Sequence, residues 1–176
     1  MMTTETLPTA VAALLAQHLT PAETLNQVVQ LVGTVLNVER CFLYVRQPDR
    51  QHGRIAFCWR KDETIPDVIQ PDWQPDTTDL PREDPLFRAA IEGRPSVYVD
   101  DVDTAGPDVL NREYERKTFG HRALIHAHIR QDGQLWGILQ PCQFIGPRVW
   151  TEIEKTHLEA ILPGLPPIIA AYVGSV

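Results

Sequence analysis

The sequence predicts an α+β domain built on antiparallel strands, on three observations. Residues 122–130 alternate with strand period: Ala123, Ile125, Ala127 and Ile129 share one face, and Leu124, His126, His128 and Arg130 share the other. Gln131-Asp132-Gly133-Gln134 then supplies a tight turn, since glycine takes the positive φ such hairpins require, and Leu135–Leu139 follows as a second apolar strand. Flanking segments switch to helical spacing, with Leu25, Val28, Val29, Val32, Val35 and Leu36 before the strands and Ile153, Leu158, Ile161 and Leu162 after them.

Taken in order, residues 8–19 form a short amphipathic helix through Val11, Leu14, Leu15 and Leu19. Thr20-Pro21-Ala22-Glu23 starts the next helix: Thr20 caps, Pro21 suits the first helical position and Glu23 closes a capping box, with the end near Asn37. Arg40–Arg46 reads as a strand, Pro48-Asp49-Arg50 as its turn and Arg54–Arg60 as the antiparallel partner. Strict alternation there places Ile55, Phe57 and Trp59 on one face and Ala56, Cys58 and Arg60 on the other, with Cys58 an inert packing residue.

Residues 61–83 carry prolines, acids and Trp73 without a sustained period and read as a loop that lids a pocket. Trp73 covers the sheet edge for its buried area; the alternative is closure over a ligand. Pro85–Glu92 is a one-face helix, Gly93 stops it, Pro95–Val99 is a short strand and 107–118 a polar helix or helical loop. Gly146-Pro147-Arg148 breaks the chain before a helix over 151–162, which Pro163, Pro166 and Pro167 interrupt, leaving 168–173 for a last turn.

A chain of 176 residues fits one domain over 1–176, with a helical start at 8–37, a sheet and pocket over 40–148 and a terminal helix over 151–173. The net charge of −7, with scattered basic residues, excludes a nucleic-acid face, because backbone affinity needs clustered Lys and Arg. No apolar run approaches the roughly 18 residues of a membrane span. The N-terminus lacks the basic flank and apolar core of a secretory signal, so a cytoplasmic location is expected. Cys41, Cys58 and Cys142 are odd in number and lack CxxC spacing, which argues against a disulfide scaffold and a zinc knuckle. No GxSxG, HExxH, P-loop or paired-carboxylate motif occurs, so no catalytic residue is named.

The hairpin with Leu135-Trp136-Gly137-Ile138-Leu139, followed by Gly146-Pro147-Arg148 and Trp150, resembles the end of a GAF domain of the cyanobacteriochrome and phytochrome kind. Asp84-Pro85-Leu86-Phe87 resembles the Asp-x-Cys-Phe motif of one cyanobacteriochrome subgroup, with leucine in place of cysteine, and Gly93-Arg94, Asp100-Asp101-Val102 and Ala105-Gly106 follow at similar spacing. The likeness covers residues 20–162. It implies the GAF fold: a central antiparallel sheet of five or six strands, helices on one face and pocket-forming loops on the other. The resemblance places the bilin-attaching Cys-His pair of the family at about Asn111-Arg112 and its tetrapyrrole-covering histidine at Cys142. Neither Asn111 nor Leu86 can supply the thiolate that thioether attachment needs, so a covalent bilin is not expected.

The face carrying Leu124, His126 and His128 is the one that, by this resemblance, looks at the ligand; Gln140, Phe87 and Arg112 complete the candidate set. Whether Cys142 joins them depends on the hairpin. A two-residue Asp132-Gly133 turn turns it away, whereas a bulge in the loop or further along brings even positions together, and the bulge is the expectation. His126, His128 and Cys142 would then meet over a metal or haem iron, or the histidines would simply hydrogen-bond inside a polar pocket, the reading taken here. No metal site is expected. The histidines imply a partly polar or anionic ligand and binding that varies between pH 5 and 8.

The expected function is a non-catalytic regulatory or ligand-binding module without a covalent chromophore, pairing as a homodimer through its terminal helices or, with an empty pocket, engaging a protein partner. A noncovalently held tetrapyrrole, bilin or haem, is the first alternative. A thiol redox enzyme resembling free methionine sulfoxide reductases is the second, with Cys142 as its thiol.

Overall fold

A computed structural model describes residues 5–76 and 83–176. Six strands form one antiparallel sheet in the order β3-β2-β1-β6-β5-β4. They are β1 (Arg40–Gln47), β2 (His52–Arg60), β3 (Gln74–Pro75), β4 (Val97–Val99), β5 (Ala123–Gln131) and β6 (Gln134–Gln143). One face is covered by helices α1 (Leu7–Leu15), α2 (Pro21–Val35), α5 (Glu152–Ile161) and α6 (Pro166–Ser175). The other carries the connecting segments, and these include two short helices, α3 (Pro85–Ile91) and α4 (Arg112–Thr118).

The local chemistry anticipated for α2 is present. Thr20 Oγ1 accepts from the Glu23 amide at 3.2 Å, and the Thr20 amide donates back to Glu23 Oε2 at 3.1 Å. Leu25, Val28, Val29 and Val32 are fully buried against the sheet. Val35 departs from the expected stripe and is 40% exposed, because the helix ends there and Leu36 turns inward instead. Leu19 similarly lies beyond α1, which ends before the positive φ of His18.

The register of β5 against β6 organises the sheet. Asp132 and Gly133, both with positive φ, make a two-residue turn between the paired Gln131 and Gln134. Arg130 then pairs Leu135 but Ile129 pairs Gly137, so Trp136 is an extra residue on β6. Beyond that bulge the even positions of both strands meet: His128 pairs Ile138, and Leu124 pairs Cys142. The turn is therefore the two-residue form, and the bulge sits further along.

A second bulge, at Ala56, corrects the alternation expected for β2. Leu43 pairs Phe57 while Tyr44 pairs Ile55, so Ile55 points to the face opposite Phe57 and Trp59. Trp73 stacks on His52 at 4.8 Å near the sheet edge, under the Arg54 guanidinium, and packs against the helix-side core. The 61–83 stretch also contains the short β3, which pairs with His52 and Gly53; its residues 77–82 lie outside the described residues.

At the C-terminal end, Trp150 is buried and donates Nε1–H to the Val99 carbonyl at 3.0 Å, with Arg148 over its ring. Leu158, Ile161 and Leu162 face the core as expected, but Ile153 is 68% exposed. It lies in the first turn of α5, out over solvent. The prolines after Leu162 start a helix as well as ending one: α6 runs ten residues with proline in its first turn, longer than the single turn expected, and buries Ile169, Tyr172 and Val173. No single helix among the described residues is long and apolar enough to cross a membrane.

Close packing of β1 on β6 leaves no room at Gly137, where an added Cβ would lie 2.7 Å from the Tyr44 carbonyl oxygen. Gly137→Ala is expected to cost about 1–3 kcal/mol in a urea titration. Gly146→Ala, with nothing near its Cβ position, should cost less than about 0.5 kcal/mol. Equal stabilities of the two variants would contradict the register.

Candidate functional site

A cavity of about 450 Å³ opens on the sheet face away from the four covering helices. Tyr44, Ile55, His126, Ile138 and Gln140 form its floor, from four adjacent strands. Asp84 and Phe87 make one wall, Tyr114 and Phe119 another, and Gln70, Gln74, Pro75 and Asp76 a third; Glu83 sits at the margin. The size is within the usual range for small-molecule sites.

Each wall is fixed by local chemistry. Asp84 caps α3, its Oδ1 accepting from the Leu86 amide at 3.1 Å, with Pro85 at the first turn. That orientation brings Phe87 edge-on to Tyr44, with ring centres 5.7 Å apart. Asn111 caps α4 by accepting from the Tyr114 amide, and its own amide donates to the Glu83 carbonyl, tying the two short helices together. The third wall is tied to β2 by a pair of bonds between Gln70 and Ile55, both 2.9 Å.

The histidine pair has a defined proton arrangement. The Arg94 carbonyl, which can only accept, takes a hydrogen bond from His128 Nδ1 at 2.8 Å. Neutral His128 therefore carries a bare Nε2, and that nitrogen accepts from His126 Nδ1 at 2.9 Å. His126 in turn is left with an unprotonated Nε2, which has no partner among the described residues. Burial lowers the affinity of both rings for a second proton, most strongly for His126, whose neighbour His128 adds to the effect. The expected titration of these histidines between pH 5 and 8 is thus displaced downward, and they bring no positive charge to the cavity.

Carboxyl groups titrate in that range instead. Burial pushes the Asp84 carboxyl up to about 7, with the nearby Glu115 adding to the rise. Glu115 itself is pushed up to about 8 by burial, against the opposing pull of Arg40. Its Oε2 lies 2.6 Å from His121 Nε2, and both side chains are buried behind Phe119, on which His121 stacks. Arg40, also buried, donates to the Pro66 and Phe119 carbonyls.

Of the residues expected at the site, His126, Gln140 and Phe87 line the cavity. His128 stands one place behind His126. Leu124 and Cys142 are fully buried together with Phe42 in an apolar cluster of the same face. The Cys142 thiol donates to the Gln140 carbonyl of its own strand. Arg112 points elsewhere, its Nε donating to the Ala105 carbonyl beside a separate surface groove. Among the described residues no group of three or more His, Cys, Asp or Glu is placed to hold an ion. Sequence reasoning missed Tyr44, Asp76, Asp84, Tyr114 and Phe119. Alternation along β1 would have found Tyr44, and the Asp-Pro helix start would have found Asp84.

With this geometry in view, the chain is matched over residues 20–162 by the family model described as GAF domain, and it belongs to the GAF domain family. No curated protein sequence matches it. Solved structures share the fold. The GAF domain of a phosphoenolpyruvate-protein phosphotransferase from Coxiella burnetii is 14% identical with a TM-score of 0.73, covering 97% of this chain and 95% of that one. A phycocyanobilin-bound GAF domain from a cyanobacterial phytochrome is 18% identical with a TM-score of 0.72, covering 96% and 94%. The free methionine-R-sulfoxide reductase from Neisseria meningitidis, solved with its substrate, is 17% identical with a TM-score of 0.68, covering 98% and 90%.

Raised carboxyl pKa values fix the sign of a pH dependence. The folded chain holds protons on Asp84 and Glu115 that the unfolded chain has already released, so their contribution is complete at low pH and is lost as pH rises through 7 and 8. The histidines oppose this only below their ordinary value of 6.5. Between pH 6.5 and 8 unfolding free energy should therefore fall by on the order of 2 kcal/mol, and Glu115→Gln should remove the larger part of the slope. Urea titrations across that interval measure it; a rise in stability, or an unchanged slope in the variant, would contradict the assignment.

Proposed function

We propose that the protein is a non-catalytic regulatory module that reports the presence of a small molecule held without a covalent bond in the cavity over β1, β5 and β6. The observation that supports this most directly is the lining itself. It combines aromatic rings, carboxylates, amides and a neutral histidine, and none of Cys41, Cys58 or Cys142 is part of it. A tether to the pocket's occupant has no thiolate to form from, which agrees with the leucine at position 86 and the asparagine at 111.

A noncovalent tetrapyrrole is the second reading, favoured by the likeness in fold to the phycocyanobilin-bound domain. A thiol redox reaction is weighed down by the placement of the sulfurs. Cys41 belongs to the helix-side core and Cys142 to the opposite face, and burial raises the Cys41 thiol well above its usual range. A cytoplasmic setting and pairing of two copies through α1 and α6 belong to the same proposal. The shallow groove between those helices, with Leu15, Leu19, Pro167 and Ile168, is the surface such pairing would use.

Native mass spectrometry of protein purified from bacteria tests the binding role. Wild type should carry a small molecule that Gln140→Trp, which projects an indole into the cavity, does not; equal loads would contradict it. The absorption spectrum of protein made alongside bilin synthesis, read before and after denaturation, tests the bond. No visible colour should follow the denatured chain, and colour that does would overturn the noncovalent reading.

A further inference from the structure

Two hydrogen-bond acceptors among the cavity-lining residues bear on the chemistry of an occupant, and neither has a partner among the described residues. His126, only 2% exposed, lines the cavity with an Nε2 lone pair that its own hydrogen-bond chain leaves bare. Asp76 gives one carboxylate oxygen, Oδ2, to Arg46, but its Oδ1 is buried without a partner. A buried acceptor left unsatisfied costs free energy on the order of 1–3 kcal/mol, which a donor supplied by a ligand would recover. Asp84 and Glu83 add further carboxylates, and no Lys or Arg lines the cavity among the described residues. The rings of Tyr44, Phe87 and Tyr114 line the same space, and π faces attract positive charge. An anionic ligand, including one carrying propionate groups, would meet carboxylates where it needs cations.

We propose that the occupant is a small organic cation: a nitrogen head of the amidinium, guanidinium or ammonium kind donates to His126 Nε2 and to the Asp84 carboxylate, while its apolar body lies against Phe87 and Tyr44. This deepens the small-molecule role proposed above and rests on it. Of the expected partly polar or anionic ligand it keeps the polar half and drops the anionic one, which assumed histidines able to carry charge.

Three probes of one shape separate charge and donor count from size: benzamidine, benzamide and benzoate. Each is titrated into the full chain at pH 8, where Asp84 has released its proton, while backbone amide resonances are followed, with Phe87 and Tyr114 reporting on the cavity. Asp84→Asn removes the charge and keeps the cap, since asparagine caps helices as well as aspartate does. Benzamidine should shift the cavity resonances and bind at least about tenfold more tightly than benzamide, with benzoate weakest. Asp84→Asn should weaken benzamidine at least about fivefold and leave benzamide unchanged. Tighter binding of benzoate or benzamide at the same resonances would overturn the cation assignment and leave the cavity's binding role standing. Benzamidine binding that ignores Asp84→Asn would also overturn the assignment. Cavity resonances that respond to none of the three would overturn the assignment and count against the binding role as well.

Discussion

The register of β6 against β5 is the constraint on which the rest of the structure depends. A two-residue turn alone would set odd positions of one strand opposite even positions of the other. The extra residue at Trp136 restores the match, so that Leu124, His126 and His128 share a face with Ile138, Gln140 and Cys142. The odd positions Ala123, Ile125, Ala127 and Ile129 then form a continuous apolar surface with Leu139 for the four covering helices. Since β1 pairs with β6, the same register puts Phe42 beside Gln140 and Tyr44 beside Ile138, which completes the cavity floor. One inserted residue thus decides which side chains meet the core and which line the cavity.

Buried polar groups cluster on that second face and are largely paired. Arg40, Glu115, His121, His126, His128 and Asp84 are all buried, and hydrogen bonds or ion pairs engage each of them. Such a network is costly to assemble compared with an apolar core. The helix side contains almost only aliphatic and aromatic contacts. Stability resides chiefly there, and the other face is left free to carry chemistry.

Much of the architecture was legible in the sequence because it rests on local rules. The capping box at Thr20 and Glu23, the Asp132-Gly133 turn and the alternation from Ala123 to Ile129 are set by neighbours in the chain. What was not legible depends on pairing across strands. The bulge at Ala56 moved Ile55 to the cavity face, and nothing local to β2 announces it. Val35 and Ile153 read as inward by period, yet they lie at helix ends where the sheet no longer covers them. For the site, His126, Gln140 and Phe87 could be placed from alternation and resemblance. Arg112 could not, because its position was inferred by counting from a family motif whose own residues are missing here. Asp76 comes to the cavity through loop geometry and Tyr114 through the placement of α4, neither of which the sequence encodes in any short pattern.

The central claim is that the strand register leaves His126 neutral, with a bare nitrogen turned to the cavity. A long-range proton–nitrogen correlation spectrum of the imidazole rings, recorded just above neutral pH, tests it most directly. His126 and His128 should both show the proton on Nδ1 and an unprotonated Nε2. A His126 ring protonated on Nε2, whether alone or together with Nδ1, would contradict the account from the hairpin upward.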